Sequence, residues 1–103
     1  APPRRDGFPM GGFREPECPR ARARHERAFE LYAQAAQRAQ REGYIHHAAL
    51  IHERHAGLLL LTRRETRAAQ ALRQSIALYR EWGATGKAQE VEATLRAAES
   101  SAA

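Results

Sequence analysis

One helical pattern occurs twice in this chain at a constant offset, and it constrains the fold more than any other feature. Each copy has a small, a large and a small residue at helical spacing: Ala28, Tyr32 and Ala35 in the first copy, and Ala68, Leu72 and Ser75 in the second (68 − 28 = 40). Gly43 and Gly83 keep the same offset, since 83 − 43 = 40. Residues three or four apart share one face of a helix. The repetition therefore predicts stacked antiparallel helical hairpins.

Glycine and proline punctuate the chain and divide it into a lead and about four helices. Five prolines and three of the seven glycines lie within residues 1–19, which we predict to be a flexible linker. The helical domain is expected at 20–99, with a frayed end at 100–103. No β-branched run predicts a strand, so the fold class is all-α. The predicted helices are 20–42, 45–61, 64–81 and 85–98.

The ends of these helices have recognisable signals. Gly43 follows the first helix, where a left-handed residue commonly ends a helix. Thr62 and Glu65 have the spacing of a capping box at the start of the third helix. Trp82 and Gly83 close that helix, and we expect the Trp82 ring to pack over the end of the hairpin.

Apolar residues form stripes at helical spacing, and these predict the core. The first helix offers Ala28, Leu31, Tyr32, Ala35, Ala36 and Ala39, and the third offers Ala68, Ala69, Leu72, Ser75, Ile76 and Tyr79. The second helix has one stripe of Ala48, Ala49, Ala56 and Leu59, and another side of Leu50, Ile51, Leu58 and Leu61. The fourth has a thin stripe of Ala84, Ala88, Val91, Leu95 and Ala98. The second helix should therefore be buried on more than one side, and the fourth should form an edge.

The charge balance invites a nucleic-acid interpretation. The net charge is +5, and only Lys87 among the 17 basic residues is a lysine. A nucleic-acid footprint usually adds interleaved aromatic residues or a known reader motif, and the sequence has neither. We therefore favour a solvated basic surface and keep a basic nucleic-acid-associated helical protein as the alternative.

The lead carries the single cysteine and no targeting signal that we recognise. Cys18 has no predicted helix start beside it and indicates neither a disulfide nor a nucleophile. Phe8, Met10 and Phe13 indicate either a free tail or a short docking motif. The longest apolar run is 57–61, far shorter than the roughly 20 positions needed to span a bilayer. We expect a cytoplasmic protein that does not contact membranes.

The stretch 49–82 resembles one complete tetratricopeptide repeat. Ala56 and Leu59 match the small and large residues of the leading helix in that family. The small–large–small pattern from Ala68 to Ser75 matches the trailing helix, and the pattern at Ala28 matches the trailing helix of a preceding repeat. The resemblance implies a short helical solenoid in which Ala56 crosses Ala68 at close approach.

A narrower resemblance covers residues 28–95, through the distinctive stretches 28–32, 43–46 and 79–87. It is similar to the helical repeats that follow the STAND-type ATPase module of large bacterial Ser/Thr-kinase and sensor-histidine-kinase signalling proteins. The sequence departs from that pattern at Arg63, where glycine is usual, and at two histidines, His52 and His55. The resemblance implies a segment for interaction and signal transmission, with no catalytic residue of its own.

Four histidines within 46–55 raise two chemical alternatives. His52 and His55 are three positions apart, so they share a helix face and resemble half of a metal site, but a third ligand at good spacing is missing. His52 followed by Glu53 resembles the phospho-accepting pair of sensor kinases, without the proline that completes that motif. Metal binding and phosphotransfer are therefore lower-ranked alternatives.

The sequence prediction is a non-enzymatic protein-interaction scaffold without cofactor or metal. Its partner would be another domain of the parent chain or a separate protein, and an end helix could also mediate self-association. We expect the leading helices to line the groove, which makes His52, Glu53 and His55 the partner-contact residues.

Overall fold

The computed structural model describes residues 17–102, and this part of the chain is all-α, as predicted. Residues 1–16 and 103 lie outside the described part, and with them most of the predicted linker and the proposed docking motif at Phe8, Met10 and Phe13. Strands are absent from the described part. The helices are α1 (Pro19–Arg41), α2 (Ile45–Leu61), α3 (Glu65–Trp82) and α4 (Thr85–Ala102).

The three connections between helices share one geometry. Helices α2, α3 and α4 begin at Ile45, Glu65 and Thr85, so their starts are equally spaced (65 − 45 = 20 and 85 − 65 = 20). The residue at the turn has a positive φ each time: Gly43 at +86°, Arg63 at +66° and Gly83 at +94°. One hairpin therefore occupies two such intervals, which is the offset seen in the sequence (85 − 45 = 40).

Backbone hydrogen bonds repeat in the same way at each connection. The amide of Gly43 donates to the Gln40 carbonyl at 3.1 Å, and the amide of Tyr44 donates to the Ala39 carbonyl at 2.8 Å. The corresponding bonds recur at the next two turns, at distances from 2.8 to 3.1 Å. This pattern satisfies carbonyl groups that a helix end otherwise leaves open. The prediction that Gly43 ends α1 in a left-handed conformation is confirmed.

Thr62 does not begin α3 with a capping box, so that prediction is wrong. Thr62 ends α2, and its hydroxyl donates to the carbonyls of Leu58 at 2.8 Å and Leu59 at 3.3 Å. Arg64 stands at the N-cap of α3, and its side chain makes no capping hydrogen bond. Because the left-handed turn at Arg63 separates Thr62 from the start of α3, Thr62 cannot serve as the N-cap that a capping box requires.

Five helix ends differ from the predicted bounds, and four of them differ by a single residue. Helix α1 begins at Pro19, and Cys18 is its N-cap, with the Cys18 sulfur accepting from the amide of Ala21 at 3.4 Å. The expectation that no helix start lies beside Cys18 is therefore wrong. Helix α4 continues to Ala102, beyond the predicted boundary at Ala98.

The helices pack in chain order, each against the next, and α3 lies between α2 and α4. All six predicted core residues of α3 are buried, and Ala71 and Leu78 join them. The first stripe of α2 is buried as predicted. In α4, which packs against α3, the buried residues include Ala88, Val91 and Ala98.

Two of the predicted core positions in α1, and one in α2, are wrong. Phe29, which the predicted stripe omits, is only 2% exposed, whereas Leu31 is 56% exposed and Ala35 is also exposed. Leu61 at the end of α2 is 81% exposed. Helix α1 packs against α2 through the face that contains Phe29 and Ala36, so the neighbouring apolar face remains in solvent.

Ala56 and Ala68 are both fully buried, as their predicted crossing requires. A nearby hydrogen bond joins the same two helices, because the Ser75 hydroxyl donates to the Ala49 carbonyl at 2.9 Å. Small residues at these positions let the α2 and α3 backbones approach closely. Membership of the tetratricopeptide family, and the register that goes with it, remains a prediction.

Candidate functional site

A surface groove runs between α1 and α3, with His52 of α2 at its floor. Its volume is about 510 Å³. It is lined by Ala33, Gln37 and Gln40 of α1, His52 of α2, and Gln74, Ala77, Leu78 and Glu81 of α3. Helices α1 and α3 therefore supply most of its wall, and α2 contributes one residue. The predicted partner groove lined by the leading helices remains a prediction.

Three glutamines give this groove its hydrogen-bonding capacity. Gln37 and Gln40 project from α1, and Gln74 projects from α3 on the other side. Each amide offers both donors and an acceptor, which matches the N–H and C=O groups of a peptide backbone. Ala33 and Ala77 are small, so both walls leave room between the amides. Nothing in the sequence marks these glutamines beyond their helical positions.

His52 is the one predicted contact residue that lines the groove. Burial lowers the pKa of His52 below its ordinary value of 6.5. The ring is therefore mainly neutral at pH 7 and presents one donor and one acceptor. It can bind a peptide polar group without bringing a positive charge.

His55 lies elsewhere, in the interface between α1 and α2. Its ring centroid is 5.5 Å from that of Tyr32, with the rings stacked, and 5.6 Å from that of Phe29. Its Nε2 atom is buried and has no hydrogen-bond partner among the described residues. Burial lowers the pKa of His55, and the charges of His52 and Arg67 lower it further. This histidine therefore acts chiefly as an aromatic packing residue.

Glu53 binds two residues of its own chain. Its carboxylate accepts a hydrogen bond from the Tyr79 hydroxyl at 2.9 Å and from Lys87 Nζ at 3.1 Å. The bond to Glu53 raises the pKa of Lys87, while burial and then Glu53 raise the pKa of Tyr79. Glu53 thus connects α2 with α3 and α4. The structure brings His52, Glu53 and His55 onto one helix without joining them in one site.

A second charged cluster joins the start of α1 to α3. Glu17 forms an ion pair with Arg64 at 2.7 Å and a hydrogen bond with His25. Arg67 pairs with Glu26 at 2.8 Å. Hydrogen bonds from Arg64 and Arg67, respectively, lower the pKa of these two carboxyl groups.

The same two arginines approach the ring of Phe29, with guanidinium carbons 5.1 Å and 4.8 Å from its centroid. Cation–π contacts of this kind stabilise a buried ring and hold a cation near it. Phe29 therefore serves as the contact point between α1 and the start of α3. The predicted stripe missed it because the residue lies one position beside Ala28.

Trp82 contacts the start of α2 through His46, at a centroid distance of 4.5 Å with the rings stacked. Its side chain is 56% exposed, so it covers the hairpin end only in part. A smaller groove of about 330 Å³ lies between α3 and α4, lined by Glu65, Thr66, Ala69, Gln70, Arg73, Ala98 and Glu99. An ion pair between Arg73 and Glu99, at 2.6 Å, crosses it.

The described residues give no support for a metal site or a membrane-spanning helix. No group of three or more His, Cys, Asp or Glu side chains within this part of the chain is placed to hold a metal ion. None of the four described helices is both long and apolar enough to cross a membrane. Comparisons of the whole chain with family models, curated proteins and solved structures find no match.

Proposed function

We propose that this chain is a non-catalytic helical-repeat module that binds a polypeptide segment in the groove between α1 and α3. The observation that carries the proposal is the groove itself, whose opposite walls both present glutamine amides. Its volume of about 510 Å³ lies in the range of about 300–1,000 Å³ typical of ligand sites. A short stretch of extended chain, with its alternating donors and acceptors, fits this lining best.

The surrounding packing supports a role in binding. Helix α3 is buried between its two neighbours, and ion pairs and hydrogen bonds connect it to all three other helices. A wall held in this way loses little conformational freedom when a ligand binds, and preorganisation of this kind favours affinity. The neutral state of His52 suits the floor of a site for uncharged backbone groups.

The proposed context is a multidomain signalling protein. The resemblance of residues 28–95 to the repeats beside STAND-type ATPase modules supports a place between catalytic domains. In that setting the bound segment belongs to another domain of the parent chain or to a separate protein. The module transmits a signal by holding that segment in one state of the parent protein and releasing it in another.

Selection of peptides from a displayed library tests the groove directly. Short random peptides are selected on the wild-type chain and then measured against Ala77→Arg, which fills the groove from an exposed position. Ala93→Arg adds the same side chain at an exposed position of α4 and serves as the matched control. We expect the selected peptides to lose about tenfold or more in affinity for Ala77→Arg alone. Equal binding to the two variants, or no enriched peptide, contradicts the proposal.

A further inference from the structure

Helix α1 has an outer face whose equivalent in α3 packs against α2. The repeat offset pairs Ala28 with Ala68, Ala35 with Ser75, and the residues between them in the same way. In α3 this face is closed: Ala68 and Ser75 are fully buried, and Ser75 bonds to the backbone of α2. The comparison therefore identifies which side of α1 has the shape of a helix-binding surface.

That side of α1 is open. Leu31 is 56% exposed, although its counterpart Ala71 is 5% exposed. Ala35 is exposed as well, and Ala28 is half-buried. Leu31 thus lies between two alanines at helical spacing, where a second helix could approach closely. We call Ala28, Leu31 and Ala35 the open face.

The opposite end of the array has a different surface. The offset pairs Ala49, Glu53 and Ala56 of α2 with Gln89, Ala93 and Arg96 of α4, and all three α4 residues are exposed. Arg96 therefore stands where α2 has the alanine of its helix crossing. A polar outer face is typical of the capping helix of a solenoid. The two end helices of the described array therefore present different outer surfaces, which are mostly polar on α4 and apolar at the centre on α1.

Charge is concentrated beside the open face. Helix α1 contains six arginines and two glutamates, so its formal charge of +4 accounts for most of the +5 of the chain. Arg24 and Arg27 are exposed and stand four positions before Ala28 and Leu31; Arg38, three positions after Ala35, is exposed as well and forms an ion pair with Glu42 at 3.5 Å. Carboxylates on a bound helix would meet these arginines, and such pairs give specificity and faster association.

From this arrangement we propose that the open face of α1 binds an amphipathic α-helix from an acidic partner, with small apolar residues over Leu31 and carboxylates beside the flanking arginines. The proposal rests on the protein-binding function and adds a second surface to it, distinct from the groove. Helix-in-surface recognition of this type uses apolar anchors spaced three and four positions apart.

A second copy of the chain fits this surface poorly. Pairing α1 with α1 would bring two arginine-rich helices together, which like-charge repulsion opposes. Pairing α1 with the outer face of α4 would place Arg96 at the close crossing. Nucleic acid fits poorly too, because the centre of the face is Leu31 between alanines, and phosphate groups gain little from an apolar centre. Charge complementarity favours the acidic helix.

Two labelled peptides test the proposal in fluorescence anisotropy with the full chain. Both carry the α2 sequence Ile45–Leu61, which already has the face that covers α3. The acidic peptide has glutamate, and the basic peptide lysine, at five positions that are exposed in α2: His46, His47, Arg54, Gly57 and Leu61. Their apolar faces are identical, so any difference in binding reports the charge of the flanks.

We expect the acidic peptide to bind about tenfold or more tightly than the basic one, with binding weakened as the salt concentration rises. Leu31→Gln should reduce that binding by about tenfold, whereas Leu61→Gln, at another exposed leucine, should leave it unchanged. Both positions are exposed, and circular dichroism verifies that the variants fold. Equal affinity of the two peptides, or an unchanged affinity in Leu31→Gln, overturns the proposal.

Other occupants of the open face give distinct results. A concentration-dependent dimer in sedimentation that Leu31→Gln dissolves would assign the face to a second copy. Displacement of the acidic peptide by labelled duplex DNA at physiological salt would assign it to nucleic acid. Either result overturns the acidic-helix proposal. The Ala77→Arg variant separates the two surfaces, because it affects the groove peptides and leaves the open face intact.

Discussion

The Ser75 hydroxyl donates a hydrogen bond to the Ala49 carbonyl across the interface between α2 and α3. Both residues are fully buried, and Ser75 is the one buried polar residue of the described core. We expect Ser75→Ala to lower the free energy of unfolding by about 0.5–1.5 kcal/mol, because a buried hydrogen bond is lost while little volume changes. Urea unfolding measures the difference. Ser100→Ala, at an exposed site on α4, is the control and should change little.

Overpacking tests the close approach of α2 and α3. Ala56 and Ala68 are fully buried, so Ala56→Leu and Ala68→Leu should each cost about 1–3 kcal/mol of unfolding free energy. Ala93→Leu, at an exposed site, should be close to neutral. Thermal and urea unfolding provide the comparison. If both buried variants were as stable as Ala93→Leu, the two helices would not cross at these residues.

The turn between α2 and α3 offers a stabilising substitution. Arg63 adopts φ +66°, a left-handed conformation that costs a residue with a Cβ about 1–2 kcal/mol. Arg63→Gly removes that strain. The greater conformational entropy of glycine in the unfolded chain opposes this gain by about 0.4–1 kcal/mol, so we expect the free energy of unfolding to rise by about 0.5–1 kcal/mol. The reverse change at the equivalent turn, Gly83→Ala, should cost a similar amount, since φ is +94° there and no atom crowds a new Cβ.

These two turn variants should move the urea midpoint in opposite directions. A midpoint that falls for Arg63→Gly would mean that the interactions of the arginine side chain outweigh its backbone strain. In that case an Arg63→Asn variant, which also tolerates the left-handed region, should fall by a comparable amount.

Stability should depend on pH through two histidines. The pKa values of His52 and His55 are lowered in the folded chain from about 6.5, mainly by burial, so the unfolded chain binds more protons as the pH falls. Their contribution is therefore fully present above about pH 6.5 and is lost as the pH falls through the folded pKa values. We expect the free energy of unfolding to decrease between about pH 7.5 and about pH 5.5.

His55→Phe provides the matched test of this dependence. The substitution keeps an aromatic ring between Phe29 and Tyr32 and removes one titrating group. The variant should lose less stability over the same pH range than the wild-type chain. The range stays above the ordinary pKa of 4.5 for Glu17 and Glu26, whose ion pairs weaken only at lower pH. An identical pH profile for variant and wild type would contradict this assignment.

The sequence predicted the helices and most of the core because each rests on local spacing. The bounds of α2 agree to the residue, and the stripe of α3 is buried throughout. In α1 the sequence offers two apolar faces, one with Phe29 and one with Leu31. The predicted stripe included Leu31 and omitted Phe29, because only the neighbouring helix decides which face is covered, and that information is not local.

The candidate site was harder to predict because it forms between helices that are distant in sequence. His52 was expected in a groove lined by the leading helices, whereas the observed groove has α1 and α3 as its walls. Gln37 and Gln74 lie together there only through the packing of α1 and α3 on α2. Glutamines on a helix surface have no distinctive pattern. His55 was predicted to share a face with His52, but it lies in the interface between α1 and α2, where its ring stacks on that of Tyr32.

Because its turns share one geometry at equal intervals, the chain consists of segments that begin and end in the same way. The connections after α1, α2 and α3 have the same hydrogen bonds, at equal intervals along the chain. A duplication of the stretch 45–84 would therefore insert a whole hairpin, with its entry and exit turns already matched to their neighbours. The array can be lengthened in this way with its turns unchanged, and each added hairpin would bring another groove of the kind seen between α1 and α3.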